Sequence, residues 1–148
     1  VKSNDLNIAV MDDCDPSDPT WNILGGCTLR KRSVSVADFQ NLLFSPLYGT
    51  IPAGHPSWRN EPSYVSTGVG RTVRAKNWGG RAHTFTEVAN FGGGFVSQLN
   101  GSLDFAPECA SAVVLPPGDS VEIEGLDAGT HKFMCCIHPW MRAAVDVN

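Results

Sequence analysis

Cys135-Cys136-Ile137-His138-Pro139-Trp140-Met141 lies near the end of the chain, between two runs that alternate as strands, Thr130 to Cys136 and Arg142 to Val147. Within seven residues it offers a thiolate, an imidazole and a thioether. Successive side chains of a strand face opposite sides, so His131, Phe133 and Cys135 share one face and Lys132, Met134 and Cys136 the other. Phe133 marks the core side, which makes Cys135 the inward-facing member of the adjacent pair. His138 follows after two residues and Met141 after two more, a tight loop that folds three donors around one point. A fourth donor, His83, lies upstream in Arg81-Ala82-His83-Thr84-Phe85-Thr86. Two imidazoles and a thiolate in a plane, with a weakly held thioether on the axis, suit copper in single-electron exchange. The predicted metal ligands are therefore His83, Cys135, His138 and Met141, around one ion cycling between Cu(I) and Cu(II).

Outward from this loop the chain reads as short strands separated by Gly, Pro and Asn, the pattern of an all-β sandwich or barrel. Leu6 to Met11 is an expected opening strand, and Thr28 to Val36 another. Gly70 to Asn77 alternates clearly before the Trp78-Gly79-Gly80 turn, and His83 to Val88 is expected as its hairpin partner. Val113 to Leu115 runs into the turn signal Pro116-Pro117-Gly118-Asp119, and Ser120 to Glu124 is the next strand. One segment breaks the pattern. Ala37 to Phe44 places Phe39, Leu42 and Leu43 at i, i+3 and i+4, which predicts a short helix capped by Ser35 and stopped by Pro46. Ser45 to Pro62 holds four prolines and two glycines and reads as a long loop. No repeat or composition shift divides the chain, so 1–148 is expected to form one copper-binding domain.

At 148 residues and 42% hydrophobic composition the chain can bury a proper core. Its net charge of −4 and its longest basic run, Arg30-Lys31-Arg32, argue against nucleic-acid binding. No window approaches the roughly eighteen apolar residues of a membrane span. The sequence opens at Val1 without a charged-then-apolar leader, and the expectation is that any export signal has been removed or left out of this sequence. The five cysteines are odd in number. A thiolate on metal leaves four, enough for two disulfides in an oxidising compartment. Cys14 and Cys27 flank a turn-rich stretch and form the first expected pair. If Cys135 binds metal, Cys109 and Cys136 remain as the second, although reduced thiols stay open.

The competing chemistries are weaker. Structural zinc favours closed Cys and His sets, commonly with paired C-x-x-C spacing, and seldom takes a thioether. A catalytic Cys-His dyad needs an accessible nucleophile and an oxyanion hole, and no sequence feature supplies either. His131 shares the face of Cys135 but sits about 13 Å away along the strand, too far for the same ion. Glu87 likewise lies too far from His83. His55 stands in the long loop with no donor nearby and reads as a surface or hydrogen-bonding residue. Trp21, Trp58 and Trp78 are expected to pack in turns or in the core.

With these residues in view, the chain resembles the cupredoxins, the small blue-copper proteins of the plastocyanin, azurin and amicyanin group. The Cys135-x-x-His138-x-x-Met141 spacing, with a proline after the histidine and an aromatic before the methionine, is most similar to that of amicyanin. The resemblance spans at least Gly70 to Val147. It implies a Greek-key β-sandwich of about eight strands with copper at one end, here with the short helix in an N-terminal insertion. It also implies a type 1 copper protein that carries single electrons and is not an enzyme. The competing roles are a copper carrier or store, and a copper site with an open position for a small substrate. Relatives often carry Asn directly after the upstream histidine to tie the ligand loops together; Thr84 stands there in this chain, with a shorter reach. Cys136 is a second departure, a sulfur that most relatives lack beside the ligand. His138 is expected nearest the surface, collared by Pro139 and Trp140, with Phe91 to Val96 extending an apolar patch. These features imply a transient redox partner docking near His138, Pro139, Trp140 and Phe95, a monomer, and a periplasmic or secreted location.

Overall fold

The computed structural model describes residues 5–29, 34–43 and 54–148. Two four-stranded sheets face each other across one core. In chain order the elements are β1 (Leu6–Met11), α1 (Pro19–Ile23), α2 (Val36–Leu43), β2 (Arg59–Glu61), β3 (Tyr64–Thr67), β4 (Val73–Asn77), β5 (His83–Thr84), β6 (Thr86–Val88), β7 (Val114–Leu115), β8 (Ser120–Ile123), β9 (Gly129–Met134) and β10 (Arg142–Val147). The first sheet has the order β2-β1-β4-β8, the second β3-β10-β9-β6, and β5 pairs with β7 beside them. β1 runs parallel to β4 with Ile8 opposite Ala75, and β10 runs parallel to β3. β9 and β10 are antiparallel, with Phe133 opposite Ala143. The fold is thus all-β, as expected, with two short helices where one was expected.

Alternation decides which side chains enter the core. Ile8 and Val10 of β1, Val73 and Ala75 of β4, and Ala143, Val145 and Val147 of β10 are all buried. Phe133 projects between the sheets and stacks on Phe85, ring centres 4.5 Å apart. Burial of such a ring contributes about 1.5–3 kcal/mol. The opposite face of β9 is covered as well. Met134 and Cys136 pack with Val88, Ala106 and Cys109 in a second, smaller cluster, roofed by the 3-10 turn Pro107–Ser111.

Two expectations about strands are corrected. His83 to Val88 is not the hairpin partner of Gly70 to Asn77. It divides at the buried Phe85 into β5, paired with β7, and β6, paired with β9, while β4 lies between β1 and β8. The change of partner at Phe85 takes His83 out of the sheet that carries β9 and turns it toward Cys135 and His138. Thr28 to Val36 is not one strand: Val36 opens α2, and Thr28 and Leu29 belong to no strand. Arg30 to Ser33 lie outside the described residues.

The predicted helix is present as α2. The Asp38 N–H donates to the Ser35 hydroxyl at 3.1 Å, an N-cap bond. Phe39 is buried, whereas the proposed stop at Pro46 lies outside the described residues. Of the expected loop Ser45 to Pro62, Arg59–Glu61 forms the edge strand β2, and 45–53 lie outside the described residues. Helix α1 was not predicted. Asp18 caps it by accepting from the Thr20 N–H, with Pro19 in the first turn. The other oxygen of Asp18 accepts from the Val36 N–H, so one carboxylate ties both helices together. Both expected disulfides are formed, Cys14–Cys27 and Cys109–Cys136, and Cys135 is the free cysteine.

Candidate metal centre

Cys135 follows the last residue of β9, and His138 and Met141 lie in the loop that returns the chain into β10. Backbone bonds set the shape of that loop. The Met141 N–H donates to the His138 carbonyl at 2.9 Å, and the Cys135 N–H donates to the Met141 carbonyl at 3.0 Å. His83 approaches from β5. The Thr84 N–H points at the Cys135 sulfur at 3.3 Å, and the Thr84 hydroxyl accepts from the Cys136 N–H at 2.7 Å. Despite its shorter reach, Thr84 thus ties the two loops together.

Nδ1 of His83 lies 3.2 Å from Nδ1 of His138, and the Cys135 sulfur lies 3.8 and 3.7 Å from these two nitrogens. Among the described residues this is the one convergence of metal-binding side chains, its donor atoms within 4.8 Å of one another. The triangle is small enough for one first-row ion to bond all three atoms at about 2.0–2.3 Å. Met141 is fully buried in the same core cluster as Cys135. The donor set fits a thiolate-imidazole metal site.

Electrostatics favour the ligand form of the sulfur. Burial alone would raise the Cys135 thiol, but hydrogen bonds to His138 and His83 outweigh it and hold the group well below the usual thiol range. Burial pushes His138 down from the ordinary histidine value. It acts on His83 in the same sense, yet there the bonds to Asp12 and Cys135 prevail and raise the group to about 9. A thiolate is the form that ligates metal.

Two residues outside the predicted set complete the surroundings. Asp12, buried at the end of β1, meets Nε2 of His83 on the side of the ring away from Cys135. Trp58 packs edge-on against His138 at 4.6 Å and against His83 at 5.8 Å. No local signal marks Asp12 in the sequence, since it reaches the site through the parallel pairing of β1 with β4. Trp58 was read as packing only.

His138 is the most exposed of the four predicted ligands, as expected, although at 5% it is still buried, the other three being at 0%. Trp58 covers one edge of the imidazole, and the Trp140 ring stands 5.5 Å away. Pro139 is buried and Trp140 half-buried, while Phe95 is exposed beside Phe105. At Gly94 the backbone passes so close to the site that an added Cβ would overlap the Cys136 carbonyl. His131 sits away from the centre, between Glu87 and the Asp127 carbonyl. Trp21 and Trp58 are core residues, whereas Trp78 is exposed with the Lys76 ammonium over its ring.

No family model matches the chain, and no curated protein does. Similar solved structures are cupredoxins. A purple cupredoxin from Nitrosopumilus maritimus is 17% identical, with 97% of this chain and 99% of that one covered, at a TM-score of 0.48. The reduced state of an amicyanin mutant is 24% identical over 60% of this chain and 71% of that one, at a TM-score of 0.42. A second amicyanin mutant, in the reduced Cu(I) form at pH 4, is 23% identical over 61% and 73%, at 0.43. Among the described residues no helix is long and apolar enough to cross a membrane.

Proposed function

We propose that residues 1–148 act as a single type 1 copper domain of cupredoxin kind, carrying single electrons between redox partners without enzymatic turnover. The observation that carries this reading is the buried triangle of His83 Nδ1, His138 Nδ1 and the Cys135 sulfur. His83, Cys135, His138 and Met141 would hold the copper ion. Copper bound there supplies a one-electron couple. The chain's own part is to hold the donors rigid, with the loop bonds at Cys135 and Met141 and the Thr84 tie resisting rearrangement between oxidation states. Phe85, Phe133, Trp58 and Trp140 keep the surroundings apolar.

Burial of all three donors weighs against an exchangeable copper store and against an open position for substrate. Electrons pass at the edge where Trp140 reaches solvent, and a transient partner docks there and on Phe95, with His138 and Pro139 beneath the contact. Such redox encounters use small interfaces, in keeping with a monomer. The two disulfides support a periplasmic or secreted setting.

The test is the visible spectrum and EPR of the copper-loaded protein. An intense thiolate-to-copper band with narrow copper hyperfine splitting is expected, lost in Cys135→Ser and shifted with a changed potential in Met141→Leu. A colourless oxidised protein, or a Cys135→Ser variant with unaltered colour, overturns the reading.

A further inference from the structure

We infer that Asp12 is a positioning residue of the metal centre: its buried carboxylate holds the His83 proton on Nε2 and so presents the Nδ1 lone pair to the site. This rests on the proposed copper reading for its consequences, but its geometry stands independently of it.

An imidazole binds metal through an unprotonated nitrogen, and the partner of its other nitrogen fixes which one that is. The His83 ring is fully buried, with Nδ1 turned toward His138 and Cys135 and Nε2 against an Asp12 oxygen. A carboxylate oxygen can only accept there, so the proton between them belongs to Nε2. Asp12 is itself fixed. One oxygen accepts from the Gly80 N–H at 2.8 Å and the other from the Arg81 N–H at 3.1 Å. Gly79 leaves the room this requires, because a Cβ there would overlap the carboxylate.

Arg81 adds a second restraint rather than a salt bridge. Its guanidinium turns away to the carbonyls of Trp21, Leu24 and Gly26 at the end of α1. The turn before His83 is thus clamped from both sides, by β1 through Asp12 and by α1 through Arg81. Asp12 therefore adds a negative charge to the far side of the histidine, which makes the ring a stronger donor and favours Cu(II) over Cu(I).

Loss of such a partner costs about 10–100-fold in metal affinity. In Asp12→Asn the amide retains the shape but can place an N–H against Nε2. The expected result is a Cu(II) dissociation constant raised about 10–100-fold, with Cu(I) affinity less affected. A tenfold selective loss of Cu(II) reads as a rise in reduction potential of about 59 mV for one electron. The measurement that needs neither metal nor variant is the 15N-detected state of His83 in the metal-free wild type. A slowly exchanging, low-field Nε2 proton is expected there, and it should vanish or move upfield in Asp12→Asn. A wild-type His83 with no proton on Nε2 overturns the inference even if the variant fails to fold. So does a folded Asp12→Asn protein with unchanged potential and unchanged Cu(II) affinity. Failure of the wild type to bind copper at all would sink the copper reading instead, and the Nε2 proton would still report on the contact.

Discussion

Thr84 shows how much a single side chain contributes next to the proposed ligands. Its hydroxyl is the acceptor for the buried Cys136 N–H, and its own N–H points at the Cys135 sulfur. Replacing it by valine keeps the volume but orphans a buried donor, at a cost of about 1–3 kcal/mol. Thr84→Val is therefore expected to lower the midpoint of denaturant unfolding, whereas Thr84→Ser, which retains the oxygen, should recover most of the loss. Equal stability of the two variants would show that the hydroxyl bond contributes nothing. Because the same bond holds Cys135 relative to His83, Thr84→Val should also broaden the copper spectrum. The neighbouring sulfur of Cys136, which could have oxidised with Cys135, is engaged by Cys109 on the opposite face of the strand.

At the scale of elements, strands β6 and β9 are joined outside the core by His131. Nδ1 of His131 meets a Glu87 oxygen at 2.5 Å, and Nε2 meets the Asp127 carbonyl at 2.8 Å. Both partners are acceptors, so both ring nitrogens are satisfied only in the protonated form. The Glu87 bond, then the Asp127 bond, raise His131 above the ordinary value of 6.5. A group raised on folding adds stability that is complete below its unfolded value and is lost as pH climbs through the folded one. Wild type should therefore exceed Glu87→Gln in stability most clearly below about pH 6.5, and the gap should narrow as the medium turns alkaline. A gap that is constant from acid to alkali, or that widens with pH, would contradict the assignment. Being at the surface, the pair should weaken with added salt.

The same elements show what the sequence makes legible. β1 and β10 were both expected as strands, and both form, although β1 alternates only weakly in the sequence. Parity on β9 distinguished Cys135 from Cys136 and set His131 apart from the site. What alternation cannot express is partnership: β5 and β6 look like one strand because the change of partner at Phe85 is decided by packing on Phe133. The short helix α1 escaped because five residues give too little periodicity, although Asp18-Pro19 was a readable start signal. Asp12 and Trp58 were hidden for a different reason. Neither lies near a ligand in sequence, and both reach the centre through long-range pairing and ring packing.

For the molecule as a whole, the N-terminal region emerges as a wall of the proposed metal centre. Trp58 is its middle piece. Its ring stacks on Trp21 at 5.6 Å, meets Phe39 of α2 at 4.8 Å, and stands edge-on to His138. Its indole N–H donates to the Asp13 carbonyl, and its own carbonyl accepts from the Trp140 indole, both at 3.0 Å. One residue thus connects the end of β1, both helices and the ligand loop, and shields the imidazoles from water. Trp58→Ala removes that wall and is expected to cost about 3–5 kcal/mol of stability. Copper extraction by a chelator should become faster as water gains access to the histidines. Trp58→Phe forfeits the Asp13 bond, worth about 1 kcal/mol, but leaves an aromatic edge on His138, so its extraction rate should stay near that of the wild type. If Trp58→Ala releases copper no faster than Trp58→Phe while remaining folded, the ring contributes stability alone and the barrier to exchange resides in the ligand loop.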